Sequence, residues 1–149
     1  MPTLRDKITA PEVHPDVIKA SVALIESEVA SKRGFSGAAV KTGYKVVKAL
    51  KPGLIHDAVT KLLPDFADAL QPMYERSGAA DGGGGDKFAD YLIAHQAEAA
   101  DALLSVTDAK AEGAKNATIR KTYDRMRGSA KAHVEAAIPG LAKTLAPFA

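Results

Sequence analysis

Apolar side chains recur along this chain at helical spacing, and no stretch long enough for a strand alternates them with polar ones. The densest run lies between Leu54 and Tyr74. There Leu54, Ile55, Val59, Leu62 and Leu63 fall at i, i+1, i+5, i+8 and i+9, with Ala58 at i+4, making one broad helical face that places Leu62 in the core. The phase continues through Phe66, Leu70, Met73 and Tyr74. Pro64 interrupts it, because proline lacks an amide donor and its ring crowds the preceding turn. The pattern therefore predicts two short helices meeting at Pro64 with their apolar faces aligned. Their neighbours are expected to be the helical faces of 15–33, 37–50, 97–112 and 117–138.

The flanking elements follow from the same periodicity. Thr3, with Asp6 three residues on, can cap a short first helix, and Pro15 suits the start of a second. Ile18, Val22, Ile25 and Val29 form the stripe of that second helix, which Gly34 is expected to end and Ser36 to follow as the next cap. Val40, Tyr44, Val47 and Leu50 make the inner face of a third. Asp86 can open a helix carrying Phe88, Tyr91 and Leu92, and another begins near Ala97 with Leu103 and Leu104 facing inward. Asn116 caps the last long helix, which holds phase through Ile119, Tyr123, Met126, His133 and Val134 until Pro139 stops or kinks it. The sum is an all-α, multi-helical bundle of about seven helices, a single domain over 1–149. A flexible Gly-rich loop is expected at 77–86, where four consecutive glycines resist regular structure.

Composition narrows the chemistry. The chain has no cysteine, which removes disulfides, thiolate metal sites and cysteine nucleophiles. No apolar run approaches the roughly 20 residues of a membrane span, and the charged N-terminus lacks a signal-like apolar segment, so a cytoplasmic protein is expected. The net charge of +2 is too small to imply a polyanion. Charge is nevertheless segregated. Lys32, Arg33, Lys41, Lys45, Lys48 and Lys51 occur together without an acid, a second basic stretch runs from Lys110 to Lys131, and the middle of the chain is acidic. A bipolar surface suits a protein partner or self-association. Nucleic acid is disfavoured, because Tyr44 and Tyr123, the aromatics among these basic residues, fall on inner faces and offer no stacking platform.

Each candidate catalytic motif lacks something its chemistry requires. Gly34-Phe35-Ser36-Gly37-Ala38 approaches a nucleophile elbow, which needs a preceding strand and a glycine at Ala38. Gly82 to Gly85 before Asp86-Lys87 resembles a phosphate loop without the strand or the Ser/Thr. His133-Val134-Glu135 matches half of a zinc-deaminase signature whose other half is cysteine. Asp101 and Asp108, on a polar stripe with Ser105 and Glu112, could do acid–base work if burial split their pKa values; otherwise they form a solvated acidic flank or are partners for arginines of the final helix. On that helix Arg120–Asp124 and Lys131–Glu135 have i, i+4 spacing for ion pairs. The surface candidates are accordingly Lys41, Lys45, Lys48, Asp101, Asp108, Arg120, Arg127 and Lys131, with no catalytic, cofactor or metal residue assigned.

The segments SGAAVK (36–41), KPGLIHDAVTKLLPDFADALQPMY (51–74) and ADALLSVTDAKAEGAKNATIRKTYDRMRGSAKAHVEAAIPGLAK (100–143) together resemble a family of small actinobacterial proteins known as a domain of unknown function. The resemblance spans nearly the whole chain and implies no activity, cofactor or catalytic residue. Two functional readings follow. The first is a non-enzymatic interaction module. The second is a small-molecule or lipid-binding bundle, since helices rich in small residues can leave an apolar cavity between them. A solid core would favour the first. A dry or ligand-filled pocket of about a few hundred Å³, lined by the 54–74 face, would favour the second.

Overall fold

The computed structural model describes residues 3–31, 34–50, 53–79 and 84–149. It contains seven helices and, among the described residues, no strand: α1 (Leu4–Thr9), α2 (His14–Ser31), α3 (Gly34–Leu50), α4 (Leu54–Ser77), α5 (Gly84–Ala94), α6 (Gln96–Glu112) and α7 (Ala117–Leu145). The all-α bundle expected from periodicity is the fold.

Local chemistry sets the helix ends. In α1 the Thr3 hydroxyl accepts the Asp6 amide at 3.0 Å, and the Asp6 carboxylate accepts the Thr3 amide at 2.9 Å, a reciprocal capping box. The Leu4 amide then donates to Gln71 Oε1 at 2.8 Å, and Arg5 pairs with Asp68 at 2.7 Å, so this short helix is fastened to α4. Gly78 ends α4 with φ of 80°, a left-handed conformation that costs glycine nothing, and its amide donates to Glu75 C=O. Asn116 caps α7, its Oδ1 accepting the amides of Thr118 and Ile119.

Several boundaries differ from the periodic reading. Helix α4 is continuous through both Pro64 and Pro72, where two short helices were expected. A helix-interior proline costs about 3 kcal/mol. Val59, Leu63, Ala67, Leu70, Met73 and Tyr74 are all buried along one face on both sides of Pro64, and that burial outweighs the lost hydrogen bond. Helix α7 likewise runs through Pro139 to Leu145, with Ile138 and Ala142 buried on either side of the proline. Gly34 opens α3 instead of closing α2; Lys32 and Arg33 lie outside the described residues. Of the expected loop at 77–86, Ser77 lies in α4, Gly84 to Asp86 form the first turn of α5, and 80–83 lie outside the described residues. The inner face of α4 is also rotated from its expected centre. Leu63 is 5 % exposed, whereas Leu62, Leu54 and Phe66 are only partly buried.

Two long helices organise the packing. Helix α4 packs against α1, α2, α3, α5 and α6, and α7 packs against α2, α3, α5 and α6. The closest crossings use glycine. A Cβ on Gly43 would collide with Met126 of α7, and one on Gly140 would lie 2.8 Å from Leu24 Cδ1 of α2. Gly85 is packed so tightly against the Ala146 backbone that no side chain fits there. Tyr74 and Phe88, both fully buried, meet edge to face at 5.2 Å and join α4 to α5.

Candidate functional site

Although α4 and α7 share most of their neighbours, among the described residues no Cα of one lies within 8 Å of a Cα of the other. Helices in direct contact have axes only about 8–10 Å apart. The expectation that 117–138 packs directly on 54–74 is thus corrected: α2 and α6 span the two like spacers, and a cavity lies between them. Its volume is about 320 Å³.

The walls come from five helices. Helix α4 contributes Val59, Leu63, Phe66, Ala67 and Leu70; α1 contributes Leu4 and Ile8, and α6 contributes Leu103. From α2 come Ser21, Leu24, Ile25, Glu28 and Val29, and from α7 Met126, Ala130, His133, Val134, Ala137, Ile138, Leu141 and Leu145. The spacing explains how each helix supplies a wall. On α2, Ser21, Leu24, Ile25 and Glu28 follow i, i+3, i+4, i+7, and on α7 Met126, Ala130, His133 and Ala137 follow i, i+4, i+7, i+11. Ala67, Ala130 and Ala137 explain why the space exists, since three methyl groups stand where larger side chains would meet across it. Ser21, Glu28 and His133 are the polar side chains among the described liners, and of these Ser21 is the buried one.

The surface candidates occupy a different part of the molecule. Asp108 receives Arg127 Nε at 2.8 Å and the Tyr123 hydroxyl, which is also 2.8 Å from Thr107 Oγ1. The Arg127 hydrogen bond, and next the Tyr123 hydroxyl, hold the Asp108 carboxyl below the usual carboxylate range. Burial, and then that same hydrogen bond, push the Tyr123 phenol up. Lys131 Nζ lies 3.1 Å from Asp101 Oδ1. Asp101 and Asp108 are therefore ion-pair partners tying α6 to α7, and neither lines the cavity. The i, i+4 pairs expected on α7 give way to other partners: Lys131 turns to Asp101 of α6, and Arg120 donates to the Ala114 carbonyl in the connection between α6 and α7. On α3, Lys41 is half-buried and Lys45 and Lys48 are exposed, with Lys48 Nζ 5.5 Å from the Tyr44 ring centroid. Lys45 and Lys48 thus stay solvated, while Arg127 and Lys131 are neutralised by acids.

The other motifs meet plain ends. Gly34 to Ala38 are helical throughout, so no strand-to-helix elbow forms around Ser36. Gly85 is closed by Ala146 and cannot cradle a phosphate. Among the described residues no three acidic or histidine side chains converge as a metal site, and no helix is long and apolar enough to cross a membrane. Periodicity alone missed Ser21 as a site residue. Its signal was a small polar side chain set between Ile18 and Ile25 on an otherwise apolar stripe.

Fold and site together define an all-α bundle with an apolar cavity between its helices. Residues 4–149 match the model of a family of unknown function, DUF6918, and the chain belongs to that family. No curated protein and no solved structure matches it.

Proposed function

We propose that this protein binds an elongated apolar small molecule between α4 and α7, as a carrier or sensor and without chemical turnover. The observation that carries this reading is the cavity of about 320 Å³ whose described walls are almost wholly aliphatic. It falls within the usual range for small-molecule sites, and it is about twice the volume of an engineered apolar cavity that holds benzene, giving room for on the order of ten to twelve carbons. Its walls come from α1, α2, α4, α6 and α7, so in this reading the chain acts as one domain. The acids first considered for catalysis are engaged by Arg127 and Lys131 outside the cavity, which favours binding over reaction.

Thermal melting with aliphatic chains of graded length tests it. A ligand at a hundred times its Kd stabilises by about 2.7 kcal/mol, which for a chain of this size raises the midpoint by roughly 5–10 °C. The shift is expected to peak near ten to twelve carbons and to vanish in Ala137→Phe, which fills the space from α7. No shift at any chain length would overturn the proposal.

A further inference from the structure

We infer that the cavity selects an uncharged aliphatic molecule with a single hydroxyl-like head, and that Ser21 anchors that head; this rests on the ligand-binding reading above. Ser21 is 7 % exposed, lines the cavity, and its Oγ has no hydrogen-bond partner. Four other helical serines behave differently. Ser31, Ser77, Ser105 and Ser129 each fold the hydroxyl back onto the carbonyl three residues earlier, to Glu28, Tyr74, Ala102 and Met126. Ser21 sits on the same kind of helix and forgoes that bond. A buried hydroxyl left unpaired is destabilising, and a ligand group able to accept or donate one hydrogen bond removes the penalty.

The surroundings decide the charge of the head. A carboxylate held at Ser21 would have to give up its hydration among apolar walls, weakening binding on the order of tenfold or more. A cationic head would have to shed its hydration against walls that are almost entirely aliphatic. A neutral hydroxyl meets neither obstacle.

Calorimetric and thermal-shift titrations of the full chain with decanol, decanoate and decane separate the possibilities. Decanol is expected to bind about tenfold more tightly than decanoate. Ser21→Ala should lower decanol affinity about five- to tenfold, the effect of one hydrogen bond, and leave decane unchanged. The same variant should raise the melting temperature of the ligand-free protein, since it removes an unpaired buried group and alanine is the better helix former. Binding of all three probes with Ser21→Ala indifferent, or decanoate binding tightest, would overturn the anchor and leave the cavity reading standing. No binding by any probe would overturn both.

Discussion

Asp108 concentrates more polar interaction than any other acid of the α6–α7 seam, with Arg127 on one side and the Tyr123 hydroxyl on the other. Its carboxyl titrates below the usual range in the folded protein because both partners favour the ionised form. A depressed folded value contributes stability that is present above the unfolded carboxylate value near 4 and is lost as pH falls through the folded one. Asp108→Asn is therefore expected to lower the melting temperature at neutral pH and to flatten its decline below pH 4. Melting curves between pH 2 and 7 measure this, and parallel acid limbs for the two proteins would contradict it. These roles were half legible beforehand. A polar stripe of acids beside an apolar face is visible from spacing alone, but acid–base work and arginine pairing look identical until the opposite helix is placed.

At the scale of elements, α4 illustrates how packing overrides a local signal. Pro64 marks a break by every local rule, yet the helix continues because Leu63 and Ala67 are buried on the same face immediately before and after it. The face was predicted within one residue of its true centre. Leu63→Ala is expected to cost about 2–5 kcal/mol, and Leu62→Ala distinctly less, because Leu62 keeps part of its surface in water. Chemical denaturation of both variants gives the comparison; equal losses would mean that the two leucines share the core equally. Local rules did better at helix starts, where Thr3 and Asn116 cap as expected, since a cap is a contact between residues two or three apart.

For the molecule as a whole, the C-terminus closes the bundle against α5, and Gly85 is where it does so. A side chain at Gly85 would overlap the Ala146 backbone, which has no flexible end to give way. Gly85→Ala is expected to destabilise by about 2–4 kcal/mol, in the tail that requires a backbone shift. Gly128→Ala, on an exposed turn of α7 with open space around it, should instead stabilise by up to about 1 kcal/mol. Unfolding by urea distinguishes them, and a neutral Gly85→Ala would show that this closure is loose. The glycine run before α5 thus ends in a packing requirement as well as in turn chemistry, a distinction that composition does not reveal.

Helical class, the number of helices and the caps at Thr3 and Asn116 were determined by the sequence itself, because each depends on residues within about a turn of one another. The same local information placed Leu63, Leu70 and Met73 on one face of α4 and His133 on an inner face of α7. What it could not decide was the distance between those faces. That distance depends on α2 and α6 acting as spacers, contacts between residues far apart in the chain, and on Ala67, Ala130 and Ala137 lining the gap they leave. A stripe of alanines and leucines reads the same whether it closes into a solid core or borders a cavity. Only the tertiary arrangement held α4 and α7 apart and turned Ser21 from an odd position on an apolar stripe into a buried polar group on a cavity wall.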